Sequence, residues 1–222
     1  MTRGIFIAGN ESALCRAIEA EAINRVEQYA AAFIPNRFSN NSIDSGFNSE
    51  KRLSIDWNPS SPISARALVL AAENRLEHID EAILVCAPPG LRGSPSTLAF
   101  SSVEMMINDH VKGWFFLVKE LASVFKNRGR GTLALVYPDI NTPVGKDEPA
   151  DLLGPAALAS FRSLTHGLLA AAQNEPYFTV GFLTTDAGNE TSFASYIFKS
   201  IDDLPKRSNG KLFKFGKFSF FK

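Results

Sequence analysis

Short runs of consecutive apolar residues alternate with longer stretches of helical period along nearly the whole chain. Gly4 to Ala8 is the first such run, ending at Gly9, and Ser12 to Tyr29 follows with helix-forming residues. Ala30 to Ile34 predicts a second strand, stopped by Pro35; Asn36 to Glu50, rich in Asn and Ser, reads as a loop, and Arg52 to Asp56 predicts a third strand. Ser60-Ser61-Pro62 opens a helix through Ala65, Leu68 and Leu76, and Ala82 to Cys86 is a fourth strand closed by Pro88 and Pro89. Val103 to Phe125 predicts a long helix, Thr132 to Tyr137 a fifth strand, Pro155 to Ala172 a helix, Phe178 to Thr184 a sixth strand and Ser192 to Ile201 a short helix. Lys211 to Phe221 predicts a seventh strand broken at Gly216.

The runs Gly4 to Ala8, Ala30 to Ile34, Ala82 to Cys86 and Thr132 to Tyr137 show no clean alternation of apolar and polar residues, so both of their faces are covered. Strands of that kind separated by helices predict one α/β domain spanning residues 1–222, a Rossmann-like doubly wound fold with a mostly parallel sheet. The 222 residues suffice for one such core. Charge adds an exclusion: 23 Lys plus Arg balance 23 Asp plus Glu, so no overall field favours nucleic acid or an anionic membrane. Lys and Phe interleave from Lys211 to Lys222, a pattern that stacks single-stranded bases in some proteins, but an edge strand burying Phe and exposing Lys accounts for it better. Without a signal-peptide pattern or an apolar run long enough to span a bilayer, the expectation is a cytoplasmic protein whose Cys15 and Cys86 are reduced. Three scattered histidines and two cysteines show no metal-ligand spacing.

Val111-Lys112-Gly113 within a long helix, Gly131 opening a strand, and Ser163-Leu164-Thr165-His166-Gly167-Leu168-Leu169-Ala170 resemble, in order and spacing, the short-chain dehydrogenase/reductase family. The resemblance covers about the whole chain and implies the strand order 3-2-1-4-5-6-7 with helices on both faces. It also implies an NAD(P) cofactor and a catalytic set of Asn, Ser, Tyr and Lys. Those four positions fall here on His110, Pro138, Gly154 and Leu158. A tyrosine with an ordinary pKa near about 10 is a poor base at neutral pH without a neighbouring cation, so Tyr and Lys must be present together. Neither is, and the sequence has no Tyr between Pro138 and Tyr177.

The nucleotide loop has drifted as well. The family's Thr-Gly-x-x-x-Gly-x-Gly reads here Ala8-Gly9-Asn10-Glu11-Ser12-Ala13-Leu14-Cys15, keeping only the first glycine. Ala13 stands where backbone approaches a pyrophosphate and Cys15 where helix packs close to strand. The cofactor positions that the resemblance implies are Gly9, Asn10, Ser12 and Ala13 in this loop, then Arg37 beside a 2′-phosphate, Asp56 beside adenine, and Cys86 and Ala87 where the family has Asn-Asn. Glu11 opposes a diphosphate; the helix N-terminus and Arg16 favour one.

His110, Tyr137 and Asp139 should lie near the carboxyl end of the sheet, where open α/β folds bind ligands, and His110 or Tyr137 is the candidate replacement acid or base. The competing expectation is that His110 is a satisfied helical histidine and Tyr137 a packing residue. His78 is expected in solvent and His166 against a neighbour, while Cys15 and Cys86, near the ends of adjacent strands, could form a redox pair. These residues predict a pseudoenzyme: an oligomeric binding or regulatory module, pairing through its two long helices into a dimer or tetramer and open to a small-molecule ligand. The alternative is a divergent NAD(P)-dependent oxidoreductase with a non-standard acid or base.

Overall fold

A computed structural model of the chain describes residues 3–26, 28–34, 50–139 and 150–216. Its centre is a seven-stranded sheet, β1 Ile5–Asn10, β2 Tyr29–Ile34, β3 Arg52–Ser54, β4 Glu81–Val85, β5 Thr132–Pro138, β6 Phe178–Thr184 and β7 Leu212–Phe215. The strand order is 3-2-1-4-5-6-7, and every neighbouring pair is parallel. Such strands contribute side chains to both faces of the sheet. Phe6, Ala8, Leu84 and Leu135 join one core with α2 Pro62–Leu76, α4 Gly113–Arg128 and Phe161; Ile5, Ile7, Val85 and Val136 join the other with α1 Ala13–Ile23 and α6 Glu190–Asp202.

The helix ends follow local chemistry. The Ser12 hydroxyl accepts from the Cys15 N–H at 3.1 Å to start α1, and Ser61 accepts from Ser64 N–H with Pro62 in the first turn of α2. Gly129 ends α4 in the left-handed region at φ 68°. The helix predicted to start at Val103 starts instead at Phe100 as α3 Phe100–Ile107 and meets α4 through one π-helical turn, Asn108–Lys112. Gly113 closes that turn against Pro59, where a Cβ would lie 2.6 Å from the proline side chain. The helix α5 spans Leu153–Ala171.

Four rings run in edge-to-face contact through the first core, Trp57 to Trp114 at 5.7 Å, Trp114 to Phe161 at 5.2 Å and Phe161 to Tyr137 at 6.2 Å. At the amino ends of the strands, Asp202 of α6 accepts from Arg3 and Arg25, while Arg3 also reaches Glu81 of β4. The last strand carries Phe213 against Phe182 at 5.2 Å with Lys214 exposed beside it; the rest of the Lys-Phe tail lies outside the described residues.

Candidate functional site

At the carboxyl end of the sheet β1 and β4 are neighbours whose chains leave toward opposite faces, which makes their fork the switch point of the fold. Here the fork is bridged by protein side chains. Asn10, at the end of β1, accepts from the Ala87 N–H at 3.0 Å, and its side-chain amide lies 2.8 Å from His110 Nδ1. Because the Asn10 oxygen is fixed by that backbone donor, its nitrogen must donate, so Nδ1 is the unprotonated nitrogen of a neutral imidazole. Both residues are buried. Burial lowers the His110 pKa from an ordinary 6.5 to about 4.

That shift fixes a sign. Unfolded chains take up the His110 proton near pH 6.5 while folded ones resist it down to about 4, so His110 lends stability above 6.5 that is lost as pH falls through that window. Urea unfolding from pH 7 to 4 is expected to show a steeper loss of stability for the native sequence than for His110→Asn. Parallel profiles would refute it.

The turn after β1 has been refilled. Cys15 projects back over Gly9, so that a Cβ on Gly9 would sit 2.6 Å from its sulfur, and burial raises the thiol pKa well above its usual range. The Ser12 hydroxyl is spent on capping α1, and Ala13 opens that helix. On the β3 side lies a cleft of about 470 Å³ lined by Glu11, Phe33, Arg52, Asp56, Trp57 and Asn58. Arg52 stands over the Phe33 ring at 4.5 Å and 3.3 Å from the buried Glu19, whose carboxylate also accepts from the Tyr29 hydroxyl at 2.9 Å. The Trp57 indole N–H has no partner among the described residues. Arg37 lies outside them.

These residues offer an aromatic, partly acidic pocket beside β3, while Asn10 and His110 fill the fork and Cys15 the close-packing point, so the turn after β1 lacks the open cradle that a dinucleotide's diphosphate needs.

A second cleft of about 580 Å³ opens on the β5 side, and it gathers most of the remaining expected residues: Ala87, Tyr137, Pro138, Asp139, Gly154 and Leu158 line it. His110 is not among its lining residues. Asp151 Oδ1 accepts from the N–H of Gly154 at 3.0 Å and of Leu91 at 3.2 Å, tying the first turn of α5 to the loop after β4, and Arg92 pairs with Asp151 in a single antiparallel bridge. A Cβ on Gly154 would meet Asp151 Oδ2 at 2.5 Å and the Pro89 carbonyl at 3.2 Å. The Tyr137 hydroxyl is buried without a partner among the described residues, and burial raises its pKa. Arg162 lies 3.5 Å from Asp139 at the rim.

Several sequence expectations need correction. Cys15 and Cys86 belong to cores on opposite faces of the sheet, both as free thiols, so they form no redox pair. His166 is exposed on α5, while His78 is half-buried with its Nε2 3.0 Å from Asp80. Sequence reasoning missed Asp151, Arg162 and Trp57. An Asp three residues before Gly154 and four before Pro155 was a readable cap signal; nothing local marked the other two. Among the described residues no cluster could hold a metal ion, and no helix is long and apolar enough to cross a membrane.

No family model matches the sequence, and no curated protein matches it significantly. Solved structures do. A short chain dehydrogenase/reductase family oxidoreductase from Aeromonas hydrophila subsp. hydrophila superposes with a TM-score of 0.73 at 15% identity, covering 97% of this chain and all of that one. A short chain dehydrogenase from Mycobacterium smegmatis gives 0.69 at 11% over 97% and 93%. A short-chain dehydrogenase/reductase from Serratia marcescens gives 0.69 at 14% over 96% of each. The fold is that of the short-chain dehydrogenase/reductases. The second cleft occupies the carboxyl ends of β4 and β5 beside the start of α5, and Pro138, Gly154 and Leu158 line it.

Proposed function

We propose that this protein is a divergent short-chain dehydrogenase/reductase that has lost the family's hydride transfer and works in the cytoplasm as an oligomeric ligand-binding or regulatory module. The observation that carries this reading is at Gly154. Where the resemblance asks for a catalytic tyrosine, the space a side chain would enter is held by Asp151 Oδ2 and the Pro89 carbonyl, and Asp151 is itself pinned by two backbone N–H groups. The missing chemistry is thus built into the packing of α5 on its neighbouring loop and is not a single change in an otherwise intact site.

Calorimetry with NADPH and NADH tests the reading. No binding heat is expected at about 1 mM cofactor, and micromolar binding that His110→Ala weakens would overturn it. A second reading, a divergent oxidoreductase, is favoured by the unpartnered Tyr137 hydroxyl in the cleft. It requires NADPH-dependent carbonyl reduction that Tyr137→Phe abolishes.

The oligomer is supported by the outer surface of the helices. Phe100, Ile107 and Phe115 are exposed along α3 and α4, and α5 exposes the small residues Ala156, Ala159, Ser163 and Ala170. Gel filtration with light scattering is expected to report a dimer or tetramer that Phe115→Glu breaks. A monomer at high protein concentration would remove the assembly from the reading.

A further inference from the structure

The groups that face the cleft between β5 and α5 favour one class of ligand. Tyr137 is 1% exposed, and its hydroxyl has no partner among the described residues. A buried phenol in that state costs stability until an acceptor reaches it, and its raised pKa keeps the proton on the oxygen, ready to donate. Arg162 extends from α5 along the same cleft. Its contact with Asp139 is long, at 3.5 Å, and the two side chains are 51% and 40% exposed, so a ligand carboxylate can take it over cheaply.

The other acid of the cleft is already engaged. Asp151 accepts from two backbone N–H groups at the start of α5, where the positive end of the helix offsets its charge. Arg162 and the Tyr137 hydroxyl therefore give one part of the cleft its hydrogen-bond donors, while Pro88, Pro138, Pro155 and Leu158 give it an apolar wall. An ammonium could pair with Asp139 but has no lone pair to accept from the Tyr137 hydroxyl, a plain hydrocarbon would leave that hydroxyl unsatisfied, and a phosphate dianion would bring twice a carboxylate's charge opposite Asp139.

We propose that this cleft binds a small organic acid, the carboxylate held by Arg162 and the Tyr137 hydroxyl and the apolar body laid against Pro88, Pro138 and Leu158. The proposal rests on the reading of the cleft as a binding site.

The test is calorimetric titration of the full chain with acetate, benzoate and 3-phenylpropionate, and with 3-phenylpropanamide as the uncharged control. Saturable binding of 3-phenylpropionate is expected, with the amide at least about tenfold weaker. Arg162→Gln should weaken the acid about tenfold. Tyr137→Phe, which keeps the ring and its packing, should weaken it about threefold to tenfold. Asp139→Asn should tighten it about threefold by removing the competing carboxylate.

Equal affinity for acid and amide would overturn the proposal, as would acid binding that Arg162→Gln and Asp139→Asn both leave unchanged. Failure of all three acids at about 10 mM would overturn it too. NADPH titrated in parallel keeps the two readings apart. If neither acids nor NADPH bind, the loss of hydride chemistry stands and only the acid site falls; if NADPH binds at micromolar concentration and His110→Ala weakens it, the functional reading falls whatever the acids do.

Discussion

Trp114→Ala is expected to lower the unfolding free energy by about 3–5 kcal/mol. The indole is 1% exposed and touches Trp57 and Phe161 edge to face, at 5.7 Å and 5.2 Å. It follows Gly113, the point at which α4 comes close enough to Pro59 that no side chain fits. The surroundings are therefore held by backbone packing and cannot collapse into the vacated volume, which puts the cost at the upper end for a large-to-small change. Trp114→Phe should cost much less, because it keeps a ring in the chain from Trp57 to Tyr137. Urea unfolding measures both, and a loss under about 1 kcal/mol for the alanine variant would show that the ring chain is not the packed core described.

The same ring chain links packing to function. Trp57 lines the cleft on the β3 side, and Tyr137 lines the cleft on the β5 side, so Trp114 and Phe161 support a wall of each. Their contribution to either cleft is through position. Neither Trp114 nor Phe161 is among the residues lining them.

How far the sequence reveals this molecule depends on the range of the interaction concerned. Buried parallel strands are apolar on both faces, so β2, β4, β5 and β6 could be read to within one residue and β1 to within two from uninterrupted runs, and Ser12 and Ser61 marked the helix starts. The start of α3 could not be read, since Phe100 is 91% exposed and adds nothing to an inward-facing pattern, and a π turn changes hydrogen bonding without leaving a hydrophobic period. The placement of the cysteines was in principle legible. Along β4, Ile83 and Val85 face one core and Leu84 and Cys86 the other, while Cys15 sits on the helix over the first of these. Family spacing pointed to Gly154 and Pro138, which line the cleft, but it could not point to the Asp151 clamp or Arg162, whose contacts depend on the loop after β4 and the end of β5.

Gly154→Ala and Gly167→Ala, the same substitution in the same helix, are expected to move stability in opposite directions. Both residues lie inside α5, and in an unencumbered helix the exchange stabilises by about 0.5–1 kcal/mol through backbone entropy. At Gly167 a Cβ meets nothing within 4 Å, so the full gain should appear. At Gly154 it would lie 2.5 Å from Asp151 Oδ2 and 3.2 Å from the Pro89 carbonyl, and the carboxylate cannot simply swing aside without releasing the N–H groups of Leu91 and Gly154. Overpacking of that kind costs about 1–3 kcal/mol and exceeds the helix gain. Thermal and urea unfolding of the two variants should therefore differ in sign, and matching signs would show that the α5 start is not clamped. A cycle with Asp151→Ala isolates the cause: that change alone loses a cap worth about 1 kcal/mol, but Gly154→Ala added to it should cost much less than in the native background. For the same reason, Gly154→Tyr with Leu158→Lys, the pair that the sequence resemblance implies, should lower stability and yield no NADPH oxidation with carbonyl substrates, because a side chain at 154 meets Asp151 and the Pro89 carbonyl.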